Sequence, residues 1–82
     1  MKNPMLEKTV LKILNRVETG LREKTLMAEV EIAMDRPDLT TDEFLDTLSE
    51  LKSRGLVIGK QTLLGEAVWV ISYLGETALQ GA

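Results

Sequence analysis

Apolar residues recur every three to four positions in three stretches of this chain and then alternate in two others, and the change of period divides it into elements. Leu6, Val10, Ile13, Leu14 and Val17 share one helical face. Asn3 is a cap residue, followed by Pro4 in the first turn, where a missing N–H costs nothing. The spacing predicts a helix over about 4–18, ended by Gly20 in a left-handed conformation. Leu-Arg-Glu-Lys at 21–24 is a connector able to pair as an edge strand. Thr25 is placed to cap a second helix carrying Leu26, Met27, Val30, Ala33 and Met34, which stops before the turn residues Asp-Arg-Pro-Asp.

The third helix is the best signalled. Thr40 followed by Glu43 forms a capping box, and Leu39 and Phe44 are spaced for a hydrophobic staple. Its predicted apolar stripe is Phe44, Leu45, Leu48 and Leu51, and Gly55 closes it after Lys52 and Arg54, whose charge suits the negative end of the helix. Beyond Gly55, "LVIGKQT" and "AVWVISY" are rich in branched and aromatic residues, with "LLGE" as a four-residue hairpin loop. Ala67, Trp69 and Ile71 face one way and Val68 and Val70 the other. Apolar residues on both faces predict a central strand, with Trp69 in the core. Ser72 caps a short last helix ending near Leu79. The expected fold class is α+β and mostly helical: a three-helix bundle with a β-hairpin wing and a short C-terminal helix, as one domain over residues 1–82.

Composition narrows the chemistry. The 82 residues include no cysteine and no histidine, so disulfides, thiolate or imidazole metal ligation and Ser/His or Cys/His nucleophile systems are excluded. No metal set, phosphate loop or cofactor motif is present, and a non-enzymatic protein without cofactors or a small-molecule substrate is expected. "MKNPMLEKTVLKIL" mixes charge into its apolar residues and offers no membrane-length span, which predicts a cytoplasmic protein with no membrane contact.

Two junctions carry a family resemblance. "LKSRGLV" at 51–57 fits the pattern L-x-x-x-G-L-[IV], and "ISYLGETAL" at 71–79 fits [LI]-[ST]-x-x-G-x-x-x-L. With the element order, they resemble the winged helix-turn-helix of MarR-type and PadR-type transcriptional regulators. The resemblance spans roughly residues 5 to 80 and implies DNA binding, with the third helix in the major groove. It specifies fold better than function, because winged helices also serve as protein-docking modules.

Charge argues against that use of the third helix. The net charge of −3 divides into +3 over residues 1–24, −7 over 25–51 and +1 over 52–82. Groove-facing positions on the third helix would be Thr41, Asp42, Asp46, Thr47, Ser49 and Glu50, three of them carboxylates. At about 8 Å from a phosphate each costs about 0.5 kcal/mol per charge pair before screening. Asp42, Asp46 and Glu50 also repel one another at i, i+4 spacing. The stripe is a solvated surface or a docking face for a basic protein partner. Lys8, Lys12 and Arg16 form a basic line on the first helix, with Arg22 and Lys24 beyond and Lys60 at the wing base. That line suits non-specific contacts to a nucleic-acid backbone, a solvated face, or the acidic stripe of a second copy. The wing tip offers Leu63 and Leu64 where an Arg or Lys would enter a minor groove, which favours a homodimer or another protein target. Two readings stand: a regulator-like module touching nucleic acid through Lys8, Lys12, Arg16 and Lys60, and an adaptor using Asp42, Asp46, Glu50, Leu63 and Leu64.

Overall fold

A computed structural model describes residues 3–81 of the chain. It begins as the capping signal predicts: the Asn3 side chain accepts the Leu6 N–H at 3.2 Å, and α1 runs over Pro4–Asn15. The helix stops short of its apolar pattern, because the Arg16 and Val17 amides bond back to the Ile13 and Leu14 carbonyls and tighten its last turn. Gly20 therefore caps nothing. It has φ +87°, and a Cβ there would lie 2.5 Å from Val70 Cγ1 and 2.7 Å from the Trp69 carbonyl oxygen. Glycine at this position lets the chain pass against the sheet.

The connector does pair as an edge strand, β1 (Leu21–Arg22), and α2 follows at once over Glu23–Met34. Thr25 is thus inside the helix and not its cap. Pairing of Leu21 with Trp69 and of Arg22 with Val68 keeps the backbone extended to Arg22, which becomes the N-cap without a side-chain bond. The end of α2 is made without glycine: Asp35 takes φ +52°, and the Arg36 and Asp35 amides bond to the Glu31 and Ile32 carbonyls.

α3 (Thr41–Ser53) starts where the sequence signals it, with Thr40 Oγ1 accepting the Glu43 N–H at 3.1 Å. Only half of the capping box forms, since the Glu43 carboxylate turns to Arg36 at 2.9 Å. Leu39 and Phe44 are both buried, as a staple requires. The buried stripe differs by one residue from expectation: Thr47 is buried and Leu45 faces outward. Rotation of about 100° per residue sets Phe44, Thr47, Leu48 and Leu51 on one side, and the Thr47 hydroxyl is satisfied by donating to the Glu43 carbonyl at 3.0 Å. The helix closes when the Leu56 and Gly55 amides bond to the Leu51 and Lys52 carbonyls.

β2 (Val57–Gln61) and β3 (Ala67–Ile71) complete a three-stranded antiparallel sheet in the order β1-β3-β2, with β3 central. The connection between these strands, residues 62–66, is one residue longer than the expected four-residue loop. Thr62 and Glu66 close it through a 2.9 Å bond from the Thr62 N–H to the Glu66 carbonyl, leaving Leu63, Leu64 and Gly65 at the tip. Val57, Trp69 and Ile71 face the helices, where Trp69 and Ile71 pack on a core of Leu6, Val10, Leu14, Leu26, Val30, Phe44, Leu48 and Leu51. The indole N–H of Trp69 donates to Glu23 at 3.2 Å. Ser72 caps α4 (Tyr73–Gln80) by accepting the Gly75 N–H at 3.1 Å, and its hydroxyl donates to the Gly55 carbonyl at 2.6 Å. One serine thereby joins the end of α3 to the start of α4.

Candidate functional site

The outward face of α3 carries Asp42, Leu45, Asp46 and Ser49, all exposed. Among the described residues Asp42 and Asp46 have no ion-pair partner, whereas Glu43 pairs with Arg36 and Glu50 lies 4.0 Å from Arg54. The negative charge of the stripe is therefore offset at its base and unopposed at Asp42 and Asp46. Thr47, expected on the groove-facing side, points into the protein instead. Between this face and the start of α1 lies a groove of about 310 Å³, lined by Glu7, Asp46, Ser49, Glu50 and Ser53 among others. Glu7 accepts a hydrogen bond from Arg54, which ties α1 to the end of α3. Nothing in the linear pattern singled out Glu7, because its role depends on a residue 47 positions away.

The cations fall into two groups. Lys8, Lys12 and Arg16 stand exposed along one line of α1 beside Met5, itself 67% exposed, and no ion pair engages them among the described residues. Lys60 is exposed on β2, whose main packing partners are β3 and α3. The strand register sets it beside different company: Lys60 and Arg22 both pair with Val68, from opposite sides, on the face of the sheet turned away from the helices. Arg22 is held at 2.8 Å by Glu66, next to a cleft of about 460 Å³ that Lys24 and Thr25 also line. Arg22 and Lys24 thus belong with the wing base and do not extend the α1 line, an arrangement invisible until β1 is paired.

Arg36 braces the turn between α2 and α3. It reaches Glu43 at 2.9 Å and Asp38 at 3.4 Å. Its hydrogen bond, and then Asp38's own backbone amide, hold the Asp38 carboxyl below the usual carboxylate range, while the two acids raise Arg36 further above neutrality. A carboxyl with a depressed folded pKa contributes stability above its unfolded value, and that contribution is lost as pH falls through about 4 and below. Arg36→Gln is expected to flatten the decline of unfolding free energy between about pH 5 and 3, measured by urea titration at each pH. An unchanged slope would show that the bracing is not coupled to folding.

Among solved structures, the crystal structure of SSV1 F-93 matches with a TM-score of 0.75 and 25% sequence identity, covering 93% of this chain and 79% of that one. The fold is a winged helix-turn-helix. Neither a family model nor a curated protein matches the chain. In this fold α2 and α3 are the helix-turn-helix, with Arg36 locking its turn, and β2 and β3 are the wing. At the wing tip Leu63 is 107% and Leu64 is 84% exposed. The two sequence junctions mark where the wing joins the helices: Gly55 releases the chain from α3, and Ser72 returns it to α4. No helix among the described residues is long and apolar enough to cross a membrane.

Proposed function

We propose that this chain is a non-enzymatic recognition module of the transcription-regulator kind, one that meets nucleic acid through backbone contacts and not by seating α3 in the major groove. The observation that carries this reading is the distribution of unpaired charge. Asp42 and Asp46 are exposed and unopposed on α3, while Lys8, Lys12, Arg16 and Lys60 are exposed and outside every ion pair among the described residues. Phosphate contacts need only accessible cations, whereas base reading needs donors that can approach base edges. The resemblance to MarR-type and PadR-type regulators, and the match to a solved winged helix, are consistent with such a role. Binding that rests on backbone contacts alone is weak, so the module acts within a larger assembly at its site.

Binding to random-sequence duplex DNA tests the proposal. Four phosphate contacts give a log–log salt slope of about −3.6, or about 150-fold weaker binding at 200 mM than at 50 mM salt. Reversing Lys8, Lys12 and Arg16 together is expected to remove about three-quarters of that slope. No binding at low salt would overturn the nucleic-acid reading. A second reading, a protein-interaction adaptor, is favoured by the fully exposed Leu63 and Leu64 and by the unpaired acids of α3. It would then be the one left standing.

A further inference from the structure

We infer that the acidic face of α3 takes the basic face of α1 of a second copy of this chain, in a head-to-tail contact. The inference rests on the adaptor reading of α3 and gives it an occupant. Asp42 and Asp46 are one i, i+4 step apart, and so are Lys8 and Lys12, then Lys12 and Arg16. Each step is about 6 Å along a helix axis. Two helices laid side by side therefore bring the two anions against two of the cations in register, whichever pair of cations is used.

The surroundings favour the same match. At about 100° per residue, Met5, Lys8, Lys12 and Arg16 lie within an arc of about 80° on α1, and Asp42, Asp46 and Ser49 within about 60° on α3. Leu45 borders the acidic face and Met5, 67% exposed, borders the basic one, so each carries an apolar residue at its edge. Neither face is satisfied within one molecule: among the described residues no ion pair engages Asp42, Asp46, Lys8, Lys12 or Arg16, although Glu7, Glu43 and Glu50 all find arginines.

The geometry of such a contact has two consequences. It joins two different faces, so each added copy leaves one acidic and one basic face open, and association continues unless the rotation closes a ring. It also occupies the α1 line that nucleic acid would use, so assembly and nucleic-acid binding exclude one another on any one copy.

The test is sedimentation equilibrium of the purified, nuclease-treated protein over a range of concentrations, at about 20 mM and about 500 mM salt, where screening shortens from roughly 20 Å to about 4 Å. The wild-type chain is expected to gain mass beyond a dimer with concentration at low salt and to be monomeric at high salt. Two charge-reversed variants, Lys8→Glu/Lys12→Glu/Arg16→Glu and Asp42→Lys/Asp46→Lys, are each expected to stay monomeric alone. Mixed in equal amounts they should associate again, because each supplies the charge the other now lacks. A wild-type monomer at low salt, association that survives either reversal, or a mixture that stays monomeric would each overturn the inference. The adaptor reading is judged separately, by titrating the wild-type chain with a synthetic peptide of residues 4–16 and with an unrelated lysine-rich helical peptide. Binding of the unrelated peptide by a chain that does not self-associate would leave the acidic face a docking site for another basic partner.

Discussion

Phe44→Ala is expected to lower the unfolding free energy by about 3–5 kcal/mol, the range for removing a buried aromatic ring. Phe44 is 1% exposed and is the largest fully buried side chain. Its ring fills the space between α3 and the helices beneath, and together with buried Leu39 it fixes the angle at which the chain enters α3. A chain of 82 residues has a total stability of about 4–12 kcal/mol, so this one substitution removes about a quarter of it or more. Urea denaturation followed by Trp69 fluorescence measures the change. A loss under about 1 kcal/mol would mean that the core closes over the vacated space and that Phe44 does not organise it.

Gly75→Ala is expected to destabilise by about 3 kcal/mol, and here two effects of opposite sign compete. Gly75 lies inside α4, where intrinsic helix propensity favours alanine by about 1 kcal/mol. A Cβ at this position would sit 2.3 Å from the Leu56 carbonyl oxygen and 2.7 Å from Ile71 Cγ1. The nearer atom is backbone and is held in place by the Ser72 N–H at 3.0 Å, so it cannot yield without opening the junction of wing and helices. Overpacking of this kind costs about 1–3 kcal/mol and more where backbone must move. The clash therefore wins, and the melting temperature should fall by roughly 12–24 °C. An unchanged or raised melting temperature would show that α4 shifts away freely and that Ser72 does not anchor it.

Capping chemistry was the most readable signal. Asn3, Thr40 and Ser72 each accept the amide three residues on, as their positions imply. These bonds are local, so sequence spacing is enough to foresee them. Where a longer-range partner intervenes, local spacing no longer decides the outcome. Thr25 yielded its capping role because the pairing of β1 with β3 carries the extended backbone only to Arg22. Gly20, apt as a helix stop, is needed instead where the chain crosses the Trp69 carbonyl. The capping-box spacing turns Glu43 back toward Thr40, but its carboxylate pairs with Arg36 instead. Leu45 and Thr47 exchanged places because the hydrophobic pattern weighs polarity, while the core here accepts a threonine whose hydroxyl has a carbonyl within reach.

For the candidate site the same division holds. The exposure of Lys8, Lys12, Arg16, Asp42, Asp46, Leu63 and Leu64 follows from period and composition, since a helical or hairpin position opposite an apolar stripe must face water. Which charges remain unpaired does not follow from it. Glu7 meets Arg54 across 47 residues and Arg22 meets Glu66 across the sheet, and both contacts take shape only when the elements pack. The linear order of residues thus determined that the four helices exist, where α1, α3 and α4 start and the signs of their outer faces, all set by neighbours within one turn. The tertiary structure decided which of those charges are paired within the molecule and which stay unpaired among the described residues, because ion pairing depends on distances through space that chain separation does not encode.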